Sequence, residues 1–153
     1  MLERFKENFE KPSKFSKKDF ETAPQNFNYS KSSQEYAPIF VRYGIGIVFF
    51  LFGIDQIFNS ANWFAWTPSF VPFGAETFWL VNGIFNLSIG VLLLVGFLTR
   101  IAALLATLHL VGVIFTLGYN DISIRDFGLL LGALAILLNG ADKWSLDKKI
   151  FRK

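Results

Sequence analysis

Residues 77–117 read TFWLVNGIFNLSIGVLLLVGFLTRIAALLATLHLVGVIFTL, two apolar runs joined at the polar step Thr99-Arg100. Each run is long enough to cross a bilayer as a helix, because about 20 apolar residues at ~1.5 Å of rise suffice. The joint at residues 96–100 has room only for a tight turn, so the two helices must be antiparallel neighbours. This stretch therefore predicts a helical hairpin within a membrane, with spans at 77–98 and 100–117.

Two further apolar runs flank the hairpin and predict a first span at residues 39–58 and a fourth at 124–139. Of the 153 residues, 52% are hydrophobic and the mean hydropathy is +0.40, more apolar surface than a short soluble domain needs. The predicted fold class is an all-α, four-helix transmembrane bundle at residues 39–140, in contact with membrane lipids. A basic, Phe-rich arm and linker at 1–38 precedes the bundle, and a basic tail at 141–153 follows it.

The distribution of positive charge predicts the orientation of the bundle. With four spans, both chain ends and the Thr99-Arg100 joint share one side, which holds 14 of the 15 Lys and Arg residues (15 − 1, only Arg125 lying on the other side). The positive-inside rule then places both termini in the cytoplasm of a prokaryote and the bundle in its cytoplasmic membrane. Arg42, at the start of the first span, is expected to reach the lipid headgroups.

Small residues predict where helices pack closely. Ala102, Ala103 and Ala106 give the third span a small face, and Gly128 and Gly132 form a small-xxx-small pattern in the fourth. The pattern is common by chance, so it favours close packing in general. A homo-oligomer is left open.

Several chemistries have no support in the sequence. The chain has no cysteine, which excludes disulfides and thiolate metal sites within it, and its one histidine is His109. No metal-ligand spacing, nucleophile elbow or glycine-rich phosphate loop is present, so no metal is predicted. No nucleic-acid partner is expected.

Polar and ionisable side chains interrupt the apolar runs, and such groups are costly in lipid and are candidate site residues. They are Asp55, Gln56, Asn82, Asn86, His109, Arg125 and Asp126. His109 comes nine residues after Arg100 and so lies about 14 Å from the inner surface at the helical rise per residue. The other six fall in the outer half of the bundle. The sequence therefore predicts one polar cluster that opens to the extracytoplasmic face.

This cluster has two interpretations. It could bind the polar head of a quinone, the one cofactor candidate, with His109 as the catalytic proton exchanger and the remaining groups holding the ligand. Alternatively, Asn82, Asn86 and His109 hydrogen-bond between helices, and Arg125 pairs with a carboxylate to fix their register.

Two segments are predicted to bind protein partners. The first is the arm at residues 1–38, with phenylalanines spaced for a short amphipathic helix. The second is the loop at residues 59–76, rich in aromatic residues and proline, which also suits the membrane interface.

Three stretches of the chain resemble the DoxX/DoxD-like membrane proteins. They are Arg42-Tyr-Gly-Ile-Gly-Ile-Val-Phe-Phe-Leu-Phe-Gly53-Ile-Asp, Gly90-Val-Leu-Leu-Leu-Val-Gly96-Phe-Leu-Thr99-Arg100-Ile-Ala-Ala, and Arg125-Asp126-Phe-Gly-Leu-Leu-Leu-Gly132 through Asn139-Gly140-Ala-Asp-Lys-Trp144-Ser145-Leu146-Asp147. The resemblance implies a four-helix membrane bundle. Some members are membrane subunits of thiosulfate:quinone oxidoreductase, others join complexes of oxidative-stress defence, and distant relatives act in export or receptor assembly without redox chemistry. Many members carry Lys where this chain has Asp55-Gln56 and Glu where it has Asn86.

The function predicted from residues and resemblance together is a DoxX-like membrane subunit of a redox complex, quinone-linked, in sulfur or oxidative-stress metabolism. Whether the chain is itself catalytic is left open; if so, it is a membrane subunit of a quinone-linked oxidoreductase. The alternative is a non-catalytic membrane scaffold or assembly factor. A small-molecule transporter is a weaker option, because four spans are few and no inverted repeat is seen.

Overall fold

A computed structural model describes residues 31–150, which form helices and turns without a strand in that range. The helices are α1 (Lys31–Phe58), α2 (Ala75–Val95), α3 (Thr99–Leu117), α4 (Asp121–Asn139) and α5 (Leu146–Ile150), with a 3-10 helix at Ser60–Trp66. By length and composition, α1 from Glu35 onward, α2 and α3 can each cross a membrane. Helix α4 is as long as α3, with 19 residues, and its charged residues all lie in the first two turns. The all-α, four-helix transmembrane fold is confirmed.

The helix limits differ from the predicted spans mainly at their N-terminal ends. Helix α1 begins at Lys31 and continues through Pro38, where the polar residues and the proline had predicted linker. A proline removes one main-chain hydrogen bond, which a helix of 28 residues tolerates near its start. Helix α4 begins at Asp121 because the Asn120 side chain accepts a hydrogen bond from the Ser123 N–H at 2.9 Å. Most of the predicted arm at residues 1–38 lies outside the described residues.

Glycine allows α1 and α2 to approach at backbone distance. A Cβ added to Gly90 would lie 2.5 Å from the Phe50 nitrogen, and one added to Gly53 would lie 2.5 Å from the Leu87 nitrogen. No side chain fits at either position without moving the helices apart, so these two glycines set the α1–α2 separation.

The core lies where α3 packs between its neighbours. Ala102, Ala103 and Ala106 are fully buried, so the small face predicted for the third span is its packing face. In α4 the two glycines of the small-xxx-small pattern differ: a Cβ on Gly132 would meet the Ile45 side chain at 2.8 Å, whereas one on Gly128 would meet nothing within 4 Å. Large apolar side chains point away from the core along all four long helices, for example Phe115 (84% exposed), and these outward faces contact lipid.

The bundle has two ends. The tail end comprises the start of α1, the α2–α3 joint at 96–98 and residues 140–150. The loop end comprises residues 59–74 and 118–120. Every long helix has one terminus at the tail end and the other at the loop end. Polar groups from different helices therefore come together at each end of the bundle.

Arg42 is buried at the tail end, with 1% of its surface exposed. Its Nε donates to Asp142 Oδ2 at 2.5 Å, its Nη2 donates to Asp142 Oδ1 at 3.2 Å, and its Nη1 donates to the carbonyl oxygens of Leu93 and Leu94. The expectation that Arg42 reaches the headgroups is wrong. A guanidinium with a bidentate carboxylate and two free helix C-terminal carbonyls has enough partners to remain inside.

The tail also caps α3. Gly96 adopts φ +71° at the end of α2, and its carbonyl accepts from the Asp147 N–H at 3.0 Å. The Asp147 carboxylate accepts from the backbone N–H groups of Leu98 and Thr99 at 2.8 and 2.7 Å, at the positive end of the α3 dipole. Burial alone would raise the pKa of Asp147, but these hydrogen bonds and the charge of Arg42 outweigh it, and the pKa lies below its ordinary value.

Candidate functional site

A cavity of about 360 Å³ lies at the loop end, between the helices and beneath the aromatic loop. Aromatic rings form much of its wall: Phe49, Phe52, Trp63, Phe78 and Trp79. Its volume lies at the lower end of the range for small-molecule sites, which are typically apolar with a few polar groups.

Three amide side chains form a hydrogen-bonded cluster on one side of the cavity. Gln56 is 4% exposed, and its Oε1 accepts from Asn82 Nδ2 and from Asn86 Nδ2, both at 2.9 Å. The cluster joins α1 to α2, since Asn82 and Asn86 are one turn apart on the same face. Each Nδ2 retains a second N–H, so the cluster links the helices and still has donors available.

His109 lines the cavity from α3. Its ring lies between two phenylalanine rings, with centroids 6.1 Å away at Phe49 and 5.4 Å away at Phe85. The contact with Phe49 is edge-on and the contact with Phe85 is tilted, and together they hold the imidazole plane by packing. Helices α1 and α2, which the amide cluster joins, therefore each place a phenylalanine ring against His109.

Arg125 and Asp126 enter the cavity from the first turns of α4. Arg125 Nη2 lies 2.9 Å from Asp126 Oδ1, with 52% of the arginine side chain exposed and 8% of the aspartate side chain exposed. The guanidinium carbon also lies 5.1 Å from the Phe52 ring centroid, a cation–π contact with α1. The pair supplies one half-exposed positive group and one buried negative group to the same cavity.

Asp55 is the one predicted site residue that does not line the cavity. Its Oδ2 accepts from Trp63 Nε1 at 2.8 Å, and its Oδ1 accepts from Asn59 Nδ2 at 2.8 Å. Trp79 Nε1 donates in the same way to Thr67 Oγ1 at 2.9 Å. These bonds hold the aromatic loop across the cavity, so the position of Asp55 is that of an anchor for the loop.

The structure thus brings six of the seven predicted polar residues to one cavity: Gln56, Asn82, Asn86, His109, Arg125 and Asp126. The sequence did not predict the aromatic wall, because Trp63 was interpreted as part of a membrane-interface loop and Trp79 as an ordinary residue of the second span. The signal was available in part, since an indole N–H away from water needs an acceptor and Asp55 is eight residues from Trp63. Within residues 31–150, no group of three or more histidine and carboxylate side chains is placed to hold a metal ion.

A four-helix transmembrane bundle with a polar, aromatic-walled cavity at one end defines a small polytopic membrane protein. A family model of the DoxX proteins matches residues 37–118, which is more than half of the chain and covers most of α1 and all of α2 and α3. The chain therefore belongs to the DoxX family. It is also similar to an uncharacterized membrane protein of Mycobacterium tuberculosis, with 26% identity over 75% of this chain and 82% of the relative. No solved structure matches it.

Proposed function

We propose that this DoxX-family protein is a membrane subunit of a redox complex and binds a quinone headgroup in the loop-end cavity. The observation that carries the proposal is the convergence of His109, the amide cluster and the Arg125–Asp126 pair on one aromatic-walled cavity of about 360 Å³. By the charge distribution, the tail end faces the cytoplasm of a prokaryote and the cavity faces the extracytoplasmic side.

The residues present fit a planar headgroup. Rings of the wall offer flat apolar surfaces, as stacking requires, and polar groups are confined to a few positions. When bound, a quinone would take up two electrons and two protons, and the corresponding quinol would release them. The second N–H groups of Asn82 and Asn86 would orient its oxygens, and an imidazole nitrogen of His109 would exchange protons with it. Arg125, half exposed at the cavity, would stabilise negative charge on the headgroup.

The first test is extraction of bound small molecules from the full-length protein, purified in mild detergent from its native membrane. Mass spectrometry is expected to find a quinone in near-stoichiometric amount, and oxidoreductase or sulfurtransferase subunits to co-purify. Absence of a bound quinone, together with no binding of added quinone, would contradict the proposal.

Variants of His109 separate proton exchange from packing. His109→Gln keeps hydrogen-bonding capacity but cannot take up a proton near neutral pH, so quinone binding should persist while quinone-linked turnover falls by about 100-fold or more. His109→Ala should lose turnover and also weaken binding. Full turnover in His109→Gln vesicles would show that this histidine is not the proton exchanger.

A non-catalytic scaffold or assembly factor is the second candidate, and the exposed aromatic loop favours it. Phe64 and Phe73 are 42% and 51% exposed at the loop end, and neither lines the cavity. Replacing both by Ser should abolish association with the partner subunits while quinone binding is retained. Deleting residues 2–30 tests the other predicted partner surface in the same assay, and unchanged association in both variants would count against a scaffold.

A further inference from the structure

Asn86 carries a buried acceptor without a donor. The residue is 3% exposed and lines the cavity, and its Nδ2 donates to Gln56. Its Oδ1 has no hydrogen-bond partner among residues 31–150. An unpaired buried carbonyl oxygen is unfavourable, so such a group at the wall of a cavity indicates a donor that is supplied from outside the protein.

The two indole N–H donors near the cavity are already engaged. The indole N–H of Trp63 donates to Asp55, and that of Trp79 donates to Thr67. Gln56 Oε1, which is the acceptor at the centre of the amide cluster, receives both asparagine side chains. The cluster therefore holds spare amide N–H donors beside one acceptor that lacks a donor.

We propose that the cavity recognises a ring carrying a hydroxyl group, and so binds the reduced quinol in preference to the oxidised quinone. This inference rests on the proposed function. A hydroxyl donates to Asn86 Oδ1 and at the same time accepts from a neighbouring amide N–H, whereas a quinone carbonyl only accepts and leaves Oδ1 unpaired. Sites that hydrogen-bond a ligand hydroxyl discriminate against analogues that lack it, because binding such an analogue leaves a buried polar group of the protein without a hydrogen-bond partner.

The test is anaerobic equilibrium dialysis of the full-length protein in detergent against a short-chain benzoquinone and, separately, its quinol. One additional satisfied buried acceptor should make the Kd for the quinol about tenfold lower than that for the quinone. The measurement reads affinity and needs no partner subunit.

Asn86→Leu removes the unpaired oxygen without stranding another group, because Gln56 Oε1 still accepts from Asn82. This variant should fold and should bind quinol and quinone with about equal affinity. The matched control is Ser88→Ala on the same helix, since the Ser88 hydroxyl is exposed and donates to the carbonyl of its own helix at Ile84. The control should keep the tenfold preference.

The outcomes separate the two proposals. Binding of neither compound refutes the proposed function and this inference together. Binding of both with equal affinity, or tighter binding of the quinone, refutes the inference and leaves the proposed function standing. A quinol preference that survives in Asn86→Leu would also overturn it, because the preference would then come from another group.

Discussion

The Arg42–Asp142 pair gives the sharpest prediction of stability. The Arg42 and Asp142 side chains are 1% and 3% exposed, and removing one member of such a pair leaves a buried charge without a partner. Asp142→Asn should therefore lower the free energy of unfolding by about 3–5 kcal/mol. The carbonyls of Leu93 and Leu94 would still contact the guanidinium, but they carry only partial charges.

The neighbouring residue supplies a matched control. Lys143 pairs with Glu35, and these side chains are 48% and 45% exposed. Lys143→Gln removes an ion pair at the same end of the bundle, yet it should cost less than about 1 kcal/mol, because solvent already screens both charges.

Denaturant titration in mixed micelles, followed by tryptophan fluorescence, measures both variants. Trp144 lies beside Asp142 in the chain and packs edge-on against Tyr36, with ring centroids 6.1 Å apart, so it reports on the tail. Equal costs for Asp142→Asn and Lys143→Gln would contradict this prediction. A cost below about 1 kcal/mol for Asp142→Asn would also contradict it, since the carboxylate would then not be neutralising a buried charge.

Three more predictions concern packing, pH and the loop. Gly90→Ala should cost about 1–3 kcal/mol by forcing α1 from α2, whereas Gly128→Ala, with open space at its Cβ, should cost nothing in the same titration. The pKa of Asp147 is lowered in the folded protein, so its ionised form contributes stability above about pH 4, and this contribution is lost as the pH falls through the native pKa. In unfolding curves measured between pH 6 and 3, Asp147→Asn should therefore show a smaller loss of stability at acid pH than the unmodified protein. Asp55→Ala removes the acceptor of Trp63, so limited proteolysis should cut the aromatic loop faster, and an unchanged rate would show that this bond does not hold the loop.

Much of the fold could be predicted because lipid constrains sequence so strongly. A backbone in hydrocarbon must satisfy its hydrogen bonds within a helix, so the apolar runs alone predict the spans and their number. The starts of α1 and α4 were less predictable. They depend on local effects, the tolerance of Pro38 and the Asn120 cap, that hydropathy does not measure.

The candidate site could be predicted as a set of residues but not as a geometry. Asn82 and Asn86 share a helix face by spacing alone, and their polarity in an apolar run made them candidates. Their common partner Gln56 lies on another helix, and only the packing of α1 against α2 brings it within 2.9 Å of both.

Sequence alone therefore determined the number of spans, the family resemblance and the identity of six polar residues that line the cavity. The tertiary structure decided the rest: that Arg42 is buried against Asp142, that Asp55 holds the loop, and that Asn86 keeps an acceptor without a donor. The physical reason is the same in each case. Helix formation depends on neighbours within a turn. Burial of a charge or an amide depends on how segments distant in the sequence pack together, and Arg42 and Asp142 are 100 residues apart.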